Sequence, residues 1–270
     1  MVNKRDNDNI NKISSSQMHE LKQYYDSIYD NMEEIPRTNK LYALSCIPKS
    51  GTLKVIDIGC GTGMNSQVIR SYGHSVIGID ISESAINKYV AKGFEGYTMD
   101  IEKSISFSPN SFDLAFCSEV IEHCTNPLFV LKDIFRILKP GGKLVLSTPN
   151  SAFWAYRLFS LLGYTVSELQ HPKHFSFFSK RSLNCIINES GFKITAAMGR
   201  NMYIILPRVT SVILRRIYKL LGFIEERRFV TNSSFWHVSN LSKYLNNFFA
   251  DTFIFIIEKP NTTLSSKSAS

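Results

Sequence analysis

"VIDIGCGTG", residues 55 to 63, packs three glycines into five positions directly behind a short apolar run. Glycine has no Cβ, so Gly59, Gly61 and Gly63 let the chain turn tightly and let another body approach the backbone at van der Waals distance. A helix starting near Met64 would aim free N–H groups at that body. Outward from this turn, short β-type runs alternate with helical patterns: "LKVIDI" (53–58), "SVIGID" (75–80), "GYTMD" (96–100), "FDLAFC" (112–117) and "KLVLST" (143–148) read as strands. The clearest helix is "NPLFVLKDIFRILKPGG" (126–142): Asn126 can cap it, Pro127 suits its first turn, and Leu128, Leu131, Ile134, Phe135 and Leu138 share a face. Gly141 and Gly142 are expected to end it. A second helix, "SKRSLNCIINESGF" (179–192), has a Ser179 cap and a Gly191 stop, which makes "FKITAAM" (192–198) the sixth strand and "TFIFIIEKP" (252–260) the seventh. Strands alternating with helices over short connections give a doubly wound α/β sheet, mostly parallel, with helices on both faces.

Composition limits what such a chain can do. Its 270 residues, 44% hydrophobic, can bury one substantial core with an elaboration. Residues 1–15 and 259–270 are polar and read as disordered ends, leaving one domain over 16–258 with an N-terminal helical segment at 16–50. The start lacks the apolar core of a secretory signal and no run reaches the length of a spanning helix, so the chain reads as cytoplasmic. Five cysteines without a C-x-x-C pair imply neither a disulfide framework nor a zinc cluster. The net charge of +8 is not accompanied by interleaved aromatic and basic residues, so nucleic acid is not expected as a partner.

In a doubly wound sheet a ligand sits outside the carboxyl ends of the strands where the winding reverses, and the glycine turn lies at such an end. Asp80 closes the second strand, where an acid can take both ribose hydroxyls of an adenosine group. A dinucleotide or S-adenosylmethionine would satisfy that pattern. Pyrophosphate prefers the longer G-x-G-x-x-G turn, and Asp57 at the first strand end repels phosphate while suiting an amino group, so the cationic methyl donor fits better.

Residues 53–150 resemble the class I S-adenosylmethionine-dependent methyltransferases, in the small-molecule group that includes the ubiquinone-biosynthesis O-methyltransferases. The resemblance runs in order through "VIDIGCGTG", the acid in "GIDIS" (78–82), "MDIE" (99–102), "FDLAFCSEVIEH" (112–123) and "LKPGGKLVLSTPN" (138–150). It implies a Rossmann-like sheet of seven strands whose last is antiparallel. It also implies a donor site in which Asp57, Gly59, Gly61 and Gly63 border the methionine part, Asp80 and Ile81 the ribose and adenine, Asp100 and Ile101 the adenine, and Ser118 and Glu119 the strand end beneath the sulfonium. Glu119, Glu122 and His123 form an E-x-x-E-H string that binds a divalent metal in some relatives. Many relatives carry the string without metal, and no metal ligands are assigned here.

Methyl transfer needs an aligned acceptor and, for a hydroxyl, removal of its proton. His123, just past the fourth strand, is the first candidate base because imidazole titrates near neutrality. His171 and His174 in "QHPKHFSFFS" (170–179) offer a second; relatives often carry a His before an F-S/T pair, as His174 does, where it can instead shape the pocket. Helical lid insertions are expected at 200–250, between the last two strands, and at "SAFWAYRLFSLLGY" (151–164), which is otherwise core. Within the first, "RVTSVILRRIYKLLGF" (208–223) puts Val209, Val212, Ile213, Ile217, Leu220 and Leu221 on one face and Arg208, Arg215, Arg216 and Lys219 off it, a pattern for a solvated helix or for peripheral contact with the inner face of an anionic membrane. The expected activity is methyl transfer to an oxygen of a small-molecule or lipid-linked acceptor. A catalytically silent adenosine-ligand binder or scaffold, and a nicotinamide-dependent oxidoreductase, are the alternatives.

Overall fold

The computed structural model describes residues 19–30, 42–204, 229–230, 234–240 and 250–261. After a helix, α1 (19–30), come β1 (Lys54–Ile58), α2 (Met64–Ser71), β2 (Ser75–Asp80), α3 (Glu83–Ala91), β3 (Glu95–Thr98) and β4 (Phe112–Ser118). A single 3-10 turn (Ile121–His123) leads to α4 (Pro127–Ile137), β5 (Leu138–Pro149), α5 (Trp154–Ser160), α6 (Val166–Leu169), α7 (Lys180–Glu189) and β6 (Lys193–Ile204). Strands β7 (Phe229–Val230), β8 (Ser234–Asn240) and β9 (Ala250–Glu258) complete the described chain.

One sheet runs β3-β2-β1-β4-β5-β9-β6-β8-β7. β1 to β5 are parallel, and β9 inserts antiparallel between β5 and β6. The expected seven strands are therefore present, and β7 and β8 extend the sheet to nine from within the 200–250 stretch, β8 pairing antiparallel with β6. The amphipathic segment 208–223 lies outside the described residues.

Period-two alternation drives the two faces of the sheet apart chemically. Ile56, Ile58, Ile77, Ala115, Leu144 and Phe255 pack on one face against α4 and α7 through Leu131, Ile134, Leu183 and Ile187. Val55, Val76, Leu114, Phe116, Val145 and Ile254 pack on the other with Ile69 and the turn at 42–47. α4 starts as expected, with the Asn126 side chain accepting from the Phe129 amide at 3.1 Å and Pro127 at its head. Its end differs. The helix stops at Ile137, and Leu138 pairs with Phe112 as the first residue of β5, followed by a bulge before Lys143 meets Leu114. Gly141 and Gly142 belong to that bulge. A Cβ on Gly142 would stand 2.7 Å from the Lys139 carbonyl, so the pair is needed by the strand and not by the helix. The buried helix face is accordingly Val130, Leu131, Ile134 and Ile137, with Leu128 and Phe135 half-buried.

In the 151–164 stretch only Phe153 is buried; Leu158, Phe159, Leu161, Leu162 and Tyr164 are exposed, so the stretch is not core. Among the described residues no helix is long and apolar enough to cross a membrane.

Candidate active site

The winding reverses between β1 and β4, and their carboxyl ends lie side by side at the switch point. There a cavity of about 350 Å³ opens. Its floor is formed by strand-end residues, Gly59, Asp80, Ile81, Asp100, Ile101 and Glu119 among them, and its far wall by His123, His171 and His174. Asp57, Gly61, Gly63 and Ser118 are buried and are not among the residues that line it.

The glycine turn is shaped by protein neighbours. All three glycines have positive φ, +70° at Gly59, +52° at Gly61 and +94° at Gly63, a region costly for L side chains. A Cβ on Gly59 would collide with the Val120 side chain just beyond β4, one on Gly61 would lie 2.8 Å from the Tyr29 hydroxyl, and one on Gly63 would lie 2.8 Å from Tyr89 Cδ2. Tyr89, fully buried on α3, also fills the space over Gly78 and Gly96. Its hydroxyl donates to Ser66 Oγ at 2.9 Å, and Ser66 donates to buried Asp57 at 2.6 Å. Asp57 is thus held by a relay from inside the fold.

The loop amides are also engaged. Gly59 and Cys60 donate to the Ile79 carbonyl at 2.8 and 3.1 Å, Gly63 to the Cys60 carbonyl at 3.0 Å, and Gly61 to Asp80 Oδ2 at 2.8 Å. A turn that spends these four amides internally lacks the cradle of N–H groups that a pyrophosphate requires. Asp80, whose other oxygen accepts from the Ser82 amide at 2.9 Å, therefore pins the glycine loop while facing the cavity between Ile79 and Ile81. Asp100 is held by the Glu102 amide at 3.0 Å. Glu119 adopts φ +58°, and its side chain accepts from Ser147 Oγ at 3.1 Å; Ser118 is buried and bonded to the same Ser147 at 2.8 Å. Glu122 accepts from Thr148 Oγ1 at 3.0 Å. Both carboxylates of the E-x-x-E-H string thus bind hydroxyls at the end of β5.

The histidines meet across a long sequence gap. The Glu122 carbonyl accepts from the Phe175 and Ser176 amides at 2.8 and 2.9 Å, clamping the 170–176 loop to the turn carrying His123. His123 Nδ1 donates to the Lys173 carbonyl at 2.8 Å, which places the lone pair of the neutral ring on Nε2. Tyr25 Oη donates to that Nε2 at 3.1 Å. His174 Nδ1 donates to Gln170 Oε1 at 3.1 Å, and burial, then the charges of His123 and His171, push its pKa down to about 4. His174 is therefore neutral at pH 7. Burial, with the neighbouring Tyr29, Glu122 and Asp80, pushes the Tyr25 phenol well above its ordinary range and keeps it a donor.

Helix α1 roofs the cavity with Leu21, Tyr24, Tyr25, Ile28 and Tyr29. Asp26 accepts from Ser82 Oγ at 2.5 Å and from the Ser84 amide at 3.2 Å, anchoring α1 where the α3 dipole is positive. Reading 16–50 only as helical missed these tyrosines. The signal was available in "YYDSIYD" (24–30), where Tyr25/Tyr29 and Asp26/Asp30 recur at i,i+4 and so give one aromatic and one acidic stripe.

Comparison with known proteins agrees with this architecture. The methyltransferase-domain family matches residues 18–197. The ubiquinone biosynthesis O-methyltransferase of Coxiella burnetii is 32% identical over 165 residues, 57% of this chain and 69% of that protein. The enzyme of the same name from Pseudomonas aeruginosa is 33% identical over 156 residues, 54% and 67% of the two chains. Among solved structures, a SAM-dependent methyltransferase from Archaeoglobus fulgidus shares the fold at a TM-score of 0.54 with 19% identity, covering 82% of this chain and 95% of that one. With a match across most of its length and a relative above 30% identity, the chain belongs to the class I S-adenosylmethionine-dependent methyltransferases.

Proposed function

We propose that this enzyme transfers a methyl group to a hydroxyl oxygen of a small-molecule or lipid-linked acceptor, with His123 Nε2 receiving the proton. The observation that carries this reading is a single cavity with donor-type strand ends on one side and the oriented imidazole of His123 on the other.

The residues present suit the donor. Asp80 offers a carboxylate for a ribose diol, Ile79, Ile81 and Ile101 offer apolar walls for a base, Asp100 stands by for an exocyclic amine, and the Gly59 backbone lines the cavity directly. Gly61 holds Asp80 through its amide, buried Asp57 and Ser118 lie at the ends of β1 and β4, Gly63 packs on Tyr89, and Glu119 follows the β4 end. The donor supplies a methyl carbon already activated by its sulfonium. The rest falls to this chain: α1 excludes water, Asp80 orients, and His123, its Nδ1 proton fixed on the Lys173 carbonyl, accepts the acceptor's proton at Nε2. His174, neutral and held by Gln170, shapes the acceptor side of the cavity. The relatives named ubiquinone biosynthesis O-methyltransferases support an oxygen acceptor and one joined to a lipid tail.

The test is a labelled-donor assay on fractionated lipid and aqueous extracts beside calorimetry with S-adenosylhomocysteine. Label in an alkali-stable ether of the lipid fraction, lost in His123→Ala while S-adenosylhomocysteine still binds, is the expected result. Label on nitrogen, or full turnover by His123→Ala, would overturn the reading.

A further inference from the structure

The lone pair of the base is already engaged. His123 gives its Nδ1 proton to the Lys173 carbonyl at 2.8 Å, which leaves the lone pair on Nε2, and the Tyr25 hydroxyl donates to that nitrogen at 3.1 Å. An acceptor hydroxyl therefore meets the phenol before it meets the imidazole. We propose that Tyr25 is a further catalytic residue, a relay whose oxygen takes the proton of the acceptor hydroxyl while its own proton passes to His123 Nε2; this rests on the reading of His123 as the proton's destination.

The other way to free the base is for the phenol to swing aside, and the packing opposes it. Helix α1 is tied to α3 around the tyrosine: Asp26 accepts from Ser82 Oγ at 2.5 Å and from the Ser84 amide at 3.2 Å, Asp30 accepts from Ser84 Oγ at 2.5 Å, and Lys88 Nζ donates to the Tyr29 carbonyl. The Tyr25 ring stands edge-on to Tyr24 and His123, with centres 5.4 and 5.7 Å away, and stacks on Tyr29 at 6.3 Å. It also lines the cavity, on the side of the histidines. A phenolic oxygen keeps two lone pairs beside its proton, so it can accept from one hydroxyl while donating to the imidazole. Burial, with Tyr29, Glu122 and Asp80 close by, keeps this phenol protonated. It cannot wait as a phenolate and has to give one proton as it takes another. Atoms and charge balance. The acceptor oxygen gains the methyl carbon and loses its proton to Tyr25, the tyrosine's own proton becomes the Nε2–H of an imidazolium, and the electron pair of the broken carbon–sulfur bond stays on sulfur. One positive charge is lost at the sulfonium and one appears on His123.

The experiment compares the full chain with Tyr25→Phe, Tyr25→Ala and His123→Ala, using methyl-labelled donor and the extract fraction in which the parent forms a labelled ether. Tyr25→Phe keeps the ring and removes only the relay oxygen. Its kcat should fall about tenfold or more, to the level of Tyr25→Ala, with S-adenosylhomocysteine affinity within about twofold of the parent. A second readout needs no acceptor: in the ring-nitrogen NMR spectrum, His123 of the parent should show a protonated Nδ1 and a hydrogen-bonded Nε2, and in Tyr25→Phe the Nε2 signal should move towards that of a bare lone pair. A tyrosine that only packs would leave Tyr25→Phe at parental turnover, and one that merely blocks the base would make the variant faster. Either result with His123→Ala inactive, or an unchanged Nε2 signal, would overturn the relay alone. An active His123→Ala, or no labelled ether in any fraction, would overturn the underlying reading and the relay with it.

Discussion

The floor of the cavity and its roofing wall are fixed by different forces. On the floor, backbone amides of the glycine turn are tied to Ile79 and Asp80, and Val120, Tyr89 and Tyr29 crowd positions 59, 63 and 61. On the other wall, phenols of α1 meet imidazoles from a turn and a loop, Tyr25 on His123 and Tyr24 on His171. Backbone bonds with positive-φ glycines admit one geometry, so the floor is rigid and suited to a ligand that never changes. Side-chain pairs on a helix and a loop can be exchanged one at a time without disturbing the sheet, which suits the part of an enzyme that chooses its acceptor.

The comparison can be broken or sharpened by substitution. Gly59→Val should have the largest effect, because it combines φ +70° with a collision against Val120; a loss above about 3 kcal/mol is expected. Thermal unfolding measures it, and a melting temperature within 2 °C of the parent would mean the floor is softer than described. Asp80→Ala should follow, removing the acceptor for the Gly61 and Ser82 amides as well as a cavity carboxylate; about 1.5 to 3 kcal/mol of S-adenosylhomocysteine affinity should be lost in calorimetry. Tyr89→Phe leaves the packing and deletes only the bond to Ser66, at a cost of about 1 kcal/mol by denaturant unfolding.

The effect at the histidine wall is confined to acid pH. His174 titrates near 4 when folded and at 6.5 when free, so between those values the unfolded chain holds a proton that the folded one refuses. Stability present above pH 6.5 is therefore lost as pH falls towards 4. His174→Asn should flatten part of that slope in melting curves recorded across the window. An identical slope in both proteins would show that His174 is not the group responsible.

What the sequence disclosed follows the same division. The strands were legible because alternation at period two is local, and the glycine run, Asp80 and Asp100 were legible because each closes a strand or stands just past one, β3 ending at Thr98 and not at Asp100. The Lys-Pro-Gly-Gly segment (139–142) misled because a helix stop and a strand bulge both call for glycine, and only the pairing of Leu138 with Phe112 decides between them. The neighbours that make Gly59 and Gly63 obligatory lie 61 and 26 positions away along the chain, at Val120 and Tyr89, beyond any window of local pattern. His123 was found from its strand end, and His174 from its family string. The meeting of Tyr25 with His123 and of Tyr24 with His171 joins three segments that nothing in the spacing connects.

Tyr89 carries a consequence for how this protein can diverge. Its ring occupies the space where side chains at positions 78 and 96 would begin, and neither glycine there has a positive φ that would demand glycine on its own account. A Cβ at Gly96 would meet Tyr89 Cδ1 at 2.6 Å, so alanine at 96 is forbidden by one distant ring and by no rule of the backbone. The positions are therefore not inherited independently: a lineage that trades Tyr89 for a smaller residue releases position 96 at once, and one that keeps the tyrosine keeps the glycine. Gly96→Ala should be harmful in the parent and nearly silent in Tyr89→Leu, a non-additivity that places two apparently unrelated sites in one mutational unit.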